Sequence, residues 1–317
     1  EDLMMTINNF TPKTGSLFSP ENQAAEKVTV EMPRSKVDLD LTRSARNTTL
    51  KNLEKTKDGQ YKIDIAYMGN YGGKYKDKES NVQYDSDTDG VLADVSKDFG
   101  KFSLGTVFGS QKSKVNYKGK FSNVKEKITS SQFGLNGKYD FNDNIDLTGN
   151  MIYSSNKHAF DTNTGLGAIA NAEYKSKILD FSVKAGYKFL FDNGYVKPYA
   201  GPGITKVKEG SIDKLHISNT SKTISEGTVG VYGEKSFGKL DLFGNLEYEQ
   251  RFNKKSYHSE REYSRKYSIA PLDYASGTIN VEAGLKYNIS DNFKIKTSYE
   301  LRDSKNSLVK LGFGAEF

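Results

Sequence analysis

From Tyr61 to the end of the chain, apolar residues recur at alternate positions, and many of the positions between them carry charge. Across Phe293–Arg302, an extended backbone puts Phe293, Ile295, Tyr299 and Leu301 on one side and Lys294, Lys296, Ser298, Glu300 and Arg302 on the other. In the last stretch Val309, Leu311, Phe313, Ala315 and Phe317 alternate with Lys310, Gly312, Gly314 and Glu316. The period is that of a β-strand. The same split recurs upstream: Ile63, Ile65 and Tyr67; Phe133, Leu135, Tyr139 and Phe141; Ile279, Val281, Ala283, Leu285, Tyr287 and Ile289.

A soluble sandwich or small barrel also alternates, but it fills its interior with apolar side chains and turns the polar side to water. Here the polar side is rich in full charges, and residues 1–58 carry too little apolar surface to cover the opposite side. A barrel in a membrane resolves both problems: the apolar side meets lipid and the charged side lines the lumen. Low mean hydropathy (−0.68) and the lack of any run of eighteen apolar residues exclude a membrane-crossing helix. They leave a barrel open, because a barrel strand needs only about 9–11 residues, alternately apolar. The 20 Tyr and 18 Phe suit a membrane interface, and the absence of Cys is compatible with export through an oxidising compartment.

Twelve strands are predicted, at about 60–70, 90–98, 101–112, 129–141, 145–156, 177–191, 194–207, 222–236, 239–252, 277–289, 293–302 and 307–317. The connections alternate. Phe99-Gly100, Asn142-Asp143-Asn144, Asp192-Asn193, Phe237-Gly238 and Ser290-Asp291-Asn292 read as tight turns. The stretches 71–89, 113–128, 157–176, 208–221 and 253–276 read as long loops, and only the connection near Asp303–Asn306 is short where a long one is due. Long loops at one end and short turns at the other describe a bacterial outer-membrane barrel.

Residues 1–58 have no such period. The opening contains Pro12, Pro20 and Pro33 and reads as a linker over 1–35; Glu1–Met5 make no signal peptide. Residues 36–58 read as a helix, with Asp38 and Asp40 near its start and Arg43, Arg46, Lys51 and Lys55 further along, matching the helix dipole. So polar a helix fits a charged lumen better than an apolar core. Arg43, Arg46 and Lys51 are its expected contacts, with Glu234, Glu247, Glu249, Glu282 and Glu300 as the acidic wall.

Other chemistry finds little support. The net charge of +6 is spread along the chain and interleaved with acid, which argues against a nucleic-acid partner. Asp85-Ser-Asp-Thr-Asp-Gly90 looks like the front half of a calcium loop, but Ser96 stands where such a loop needs Glu. It reads as an acidic surface loop. His158, His216 and His258 fall in expected outer loops and read as solvated. No catalytic residue, metal ligand or cofactor site is expected.

Several stretches resemble the translocator domain of monomeric autotransporters, the type V secretion family. Tyr61–Gly73 resembles the family's first strand, although its usual Trp is absent, and Asp89–Gly100 followed by Phe102–Gly109 resembles the second and third. Ala185-Gly-Tyr-Lys-Phe189 with Lys197-Pro-Tyr-Ala-Gly201, and the closing Leu311-Gly-Phe-Gly-Ala-Glu-Phe317, follow in the family's order. The resemblance implies an all-β, twelve-stranded antiparallel transmembrane barrel over 59–317 in the bacterial outer membrane. It implies a pore helix over 36–58 and a linker to a surface passenger over 1–35. The expected function is translocation and anchoring of that passenger, an adhesin or other virulence factor, without catalysis. The expected partners are the passenger, outer-membrane lipids and lipopolysaccharide, and the barrel-assembly machinery, which reads Phe317; the expected state is a monomer. Relatives that cleave the pore helix do so at an Asn pair, and Asn8-Asn9 lies outside the helix, so no self-cleavage is expected. The alternative is an outer-membrane enzyme of protease or lipase type, or a porin without a passenger.

Overall fold

Each period-two segment is a strand that hydrogen-bonds to the next one in the chain. In the computed structural model, which describes residues 30–53, 60–77, 81–162, 172–215, 217–253, 267–269, 277–303 and 305–317, they are β1 (Tyr61–Lys76), β2 (Gln83–Asp98), β3 (Phe102–Lys118), β4 (Val124–Asp140), β5 (Ile145–Thr162) and β6 (Glu173–Tyr187, extended by Phe189–Phe191). Then come β7 (Gly194–Glu209), β8 (Thr220–Phe237), β9 (Leu240–Arg251), β10 (Gly277–Asn288), β11 (Phe293–Arg302) and β12 (Asn306–Glu316). All neighbours are antiparallel. The sheet closes where β12 pairs with β1, with Phe313 opposite Ile65 and Glu316 opposite Lys62. This is the expected twelve-stranded barrel, and closure satisfies the backbone groups that hydrocarbon would leave unpaired.

The faces fall as a membrane requires. Phe293 is 47% exposed and Val281 45%, whereas Glu282 is 3% and Glu300 4%. Along β10 and the residue after it, the outward apolar positions run from Ile279 to Ile289. At about 3.4 Å per residue and a tilt near 40°, that spans roughly 25 Å, one bilayer core. At its lower edge the turns carry stacked or tilted aromatic pairs, Tyr61 with Phe317 and Phe293 with Phe313 among them. Tight turns join the strands at this rim. Gly238 follows Phe237 with φ +64°, a left-handed conformation that costs a residue with a Cβ, and opens a two-residue hairpin to Leu240.

β1 to β8 extend past their predicted limits at the loop end, and β12 by one residue, whereas β9 and β10 fall slightly short of theirs and β11 matches. β1 runs to Lys76 and β2 starts at Gln83, so the predicted loop 71–89 shrinks to a short connection, and Asp85–Gly90 lie in β2 rather than in a surface loop. The reason is that the alternation inverts there. In β4, outward Phe133, Leu135 and Tyr139 give way to outward Lys125, Lys127, Thr129 and Ser131, while Val124 and Ile128 turn inward. The barrel thus rises past the membrane, and there its interior holds apolar side chains beside buried polar ones. Val115, Tyr117, Phe121, Ile128, Ile178 and Val207 form part of a buried cluster at this end.

The helix α1 (Val37–Leu50) with a 3-10 turn at Lys51–Leu53 lies inside the barrel. At about 1.5 Å per helical residue it reaches most of the way through the membrane. Its start is at the loop end, where Lys36 N–H donates to Tyr84 Oη at 3.2 Å. Its end is at the turn end, where Lys62 Nζ donates to the Asn52 carbonyl at 2.6 Å and Lys138 Nζ to the Leu53 carbonyl at 3.4 Å. These two lysines take up carbonyls that a helix terminus leaves without partners. Above α1, the backbone of Val30–Met32 pairs in parallel with Tyr267–Ile269 of the loop that follows β9. The predicted linker 1–35 lies outside the described residues up to residue 29.

Candidate functional site

The lumen, with the chain threaded through it, is the candidate site. Three tiers of polar contact hold α1. At the loop end Arg34 reaches Asp38 (2.8 Å) and Glu209 (3.0 Å), and Ser176 Oγ donates to Asp38 at 2.7 Å. His158 sits in β5, fully buried, with Nδ1 2.5 Å from Glu126 and Nε2 3.3 Å from Asp38. Its ring stacks on Tyr174 with 4.2 Å between centroids. The expectation of a solvated loop histidine is therefore corrected for His158; His216 and His258 lie outside the described residues. Around this tier Leu39 and Leu41 enter the apolar cluster, so α1 begins in a dry plug rather than in a wholly charged channel.

In the middle tier Arg43 Nη2 donates to Glu226 at 2.6 Å and lies 3.4 Å from Glu249 through Nη1. Arg46 reaches Asp180 (3.2 Å), Glu226 (3.3 Å) and Glu249 (2.7 Å), and Arg302 of β11 reaches Glu249 at 2.8 Å. Three guanidinium groups thus face three carboxylates. A buried charge is tolerated only when it is paired and hydrogen-bonded. Below, Lys51 donates to Glu282, and Lys310 reaches Glu282 (3.3 Å) and Glu300 (2.8 Å).

Of the predicted wall, Glu249 and Glu282 meet the helix. Glu300 is held by Lys310 and Asn280, Glu247 by Lys184 and Tyr199, and Glu234 by Lys286 and Tyr232. These three tie wall to wall. At the turn end the helix leaves a cavity of about 570 Å³ lined by Lys62, Lys138, Lys286, Lys294, Asp98 and Glu316, among others.

A closed twelve-stranded barrel with one helix inside it can be compared with known proteins. Residues 66–300 match the family described as Autotransporter beta-domain. The chain belongs to that family. Among solved structures, the translocator domain of autotransporter NalP from Neisseria meningitidis superposes with a TM-score of 0.65 at 14% identity, covering 89% of this chain and 96% of that one. The beta domain of the Bordetella autotransporter BrkA gives 0.61 at 13% identity, covering 82% of this chain and 100% of that one. The transport unit of autotransporter AIDA-I from Escherichia coli gives 0.55 at 13%, covering 88% and 96%. A curated relative, the uncharacterized protein YaiT of Escherichia coli (strain K12), is 24% identical over 139 residues, or 42% of this chain. The chain spans 14% of that relative's length.

In this autotransporter beta-domain, sequence reasoning missed Asp180 and Glu226 as helix partners. Both were open to it: Asp180 shares its face of β6 with Ser182 and Lys184, and Glu226 shares its face of β8 with Glu234. Arg34 and His158 gave no comparable cue, because their surroundings form only where the alternation inverts.

Proposed function

We propose that this beta-domain sits in the bacterial outer membrane as a monomer, translocating an N-terminal passenger of adhesin or other virulence type and anchoring it at the surface without catalysis. The observation that carries the reading is the thread. The chain runs beside the loop at Val30–Met32, descends the lumen as α1 and enters β1 at the turn end. With the longer loops outside the cell, residues upstream of the thread leave on the outer side. Lipids and lipopolysaccharide solvate the apolar girdle. The barrel-assembly machinery reads the last strand and Phe317, whose backbone is bonded to Tyr61 on both sides, at 2.9 and 3.0 Å.

The helix fills the space a porin keeps open. His158, fully buried and walled in by Glu126, Ser176 and Asp38, is committed to positioning the helix. Both points favour the translocator over a porin or barrel enzyme. The test is an epitope placed upstream of Val30 in the full chain, with a second tag in the turn at Asp143. In intact cells, external protease is expected to remove the first and leave the second. Protection of the upstream epitope until the outer membrane is permeabilised contradicts the reading.

A further inference from the structure

Strand register gathers part of the positive charge that looks diffuse along the sequence into an outward patch. On β5–β7, just above the apolar girdle, Lys157, Lys175, Lys177, Lys206 and Lys208 all point out and are exposed. Register sets Lys157 directly opposite Lys175, and Lys177 directly opposite Lys208. Like charges opposite one another across an antiparallel pair destabilise it. Further round the wall, on β2 and β3, Lys112 stands opposite Asp89 and Lys114 opposite Asp87, so even where Lys127 of β4 faces Lys114 an acid flanks it. On β5–β7, among the described residues, the five lysines have one ion pair, Lys157 with Glu173 at 3.0 Å, with both side chains about half exposed. An exposed pair of this kind contributes little.

Directly below on the same strands lie outward Leu179, Phe181 and Ile204. Lys206 is opposite Leu179, and Ile204 is opposite Phe181, so basic and apolar rows share one border. A molecule that satisfies both rows has acyl chains for the girdle and phosphates for the lysines. We propose that this face binds the phosphorylated headgroup of lipopolysaccharide, with Lys157, Lys175, Lys177, Lys206 and Lys208 as phosphate contacts. The inference rests on the outer-membrane reading. Neighbouring strands are about 4.8 Å apart and same-side residues about 7 Å apart along a strand, so the patch has room for more than one phosphate. Each lysine reaches a phosphate as a point charge on a flexible stem, so affinity falls with added salt.

The test uses the full 317-residue chain refolded in detergent, probed with lipopolysaccharide and with the same lipid after enzymatic removal of its phosphates. Native mass spectrometry counts the lipid retained. The wild-type chain is expected to hold the phosphorylated lipid and to lose it, by tenfold or more, in the variant with all five lysines changed to Gln. Changing Lys112 and Lys114 to Gln is expected to have little effect. Equal retention by the wild type and the five-Gln variant overturns the proposal, as does equal retention of the dephosphorylated lipid. So does soluble polyphosphate binding to the patch while lipopolysaccharide does not. Insertion of each chain into vesicles, read by a heat-sensitive gel shift, keeps the two readings apart. A chain that inserts but does not discriminate between the lipids overturns only the lipid site; a chain that never inserts overturns the membrane barrel as well.

Discussion

Arg43 on the pore helix and Glu226 on β8 are 183 positions apart in the chain and 2.6 Å apart across the lumen. Glu226 also accepts from Arg46 at 3.3 Å, so one carboxylate of the wall holds two cations of the thread. The lock is local to the helix. The barrel wall keeps its own ladder whether or not the pair is made.

Arg46→Met therefore releases the helix before it unfolds the barrel. Removing one partner of a buried ion pair costs about 3–5 kcal/mol. Here it leaves Asp180, Glu226 and Glu249 with two cations, Arg43 and Arg302. The chain has no cysteine, so Ala45→Cys, at a fully buried helix position, is a clean reporter. Thiol labelling is expected to be slow in the otherwise native chain and at least tenfold faster with Arg46→Met, with little change in the barrel's melting temperature.

The apolar plug makes a separate prediction. Leu39 is fully buried in the loop-end cluster, and Leu39→Ala is expected to cost about 2–5 kcal/mol of helix docking. The same thiol reporter measures it. Lys36→Gln, at the rim of the same tier, keeps its backbone bond to Tyr84 and is expected to change labelling far less.

Gly238 tests the turn rim. Its φ of +64° makes Gly238→Val a strained substitution, worth about 1–2 kcal/mol. Refolding into vesicles is expected to slow and the urea midpoint to fall, while Gly244→Ala on a plain strand position with φ in the ordinary range leaves both nearly unchanged.

Phe317→Ala separates recognition from stability. The residue's backbone bonds to Tyr61 survive the change, and what is lost is one exposed ring beside another, 6.3 Å away. Refolding in vitro is expected to be close to native and assembly in cells to fall about tenfold. Equal losses in both assays contradict a recognition role.

Where sequence and structure agree, one physical rule runs along the whole segment. Phe293–Arg302 keeps apolar out and charged in from end to end, so its span and its facing were both legible. Tight turns were legible from Gly238 and Asn193, which take positive φ. The loop-end strand limits were not, because β3 to β7 leave the lipid partway along and change which side must be apolar. Lys125 and Lys127 looked like loop residues and are outward strand residues in water. His158 looked solvated for the same reason: Glu126 reaches it by the pairing of β4 with β5 beyond the predicted strand limits, and Asp38 by the helix threaded through the lumen. Within the lumen, parity identifies which acids face inward, but sequence offers no height along the barrel. That is why Glu234, Glu247 and Glu300 were as plausible as Glu226 and Asp180, and why wall-to-wall partners such as Lys286 and Lys184 claimed two of them.

The thread occupies the lumen. Single-channel conductance in a planar bilayer, comparing the full chain with a chain lacking residues 1–58, tests it most directly. A threaded lumen gives small, flickering conductance for the full chain and a large, steady step for the shortened one, with Arg46→Met in between. Equal conductance of the full and shortened chains contradicts it.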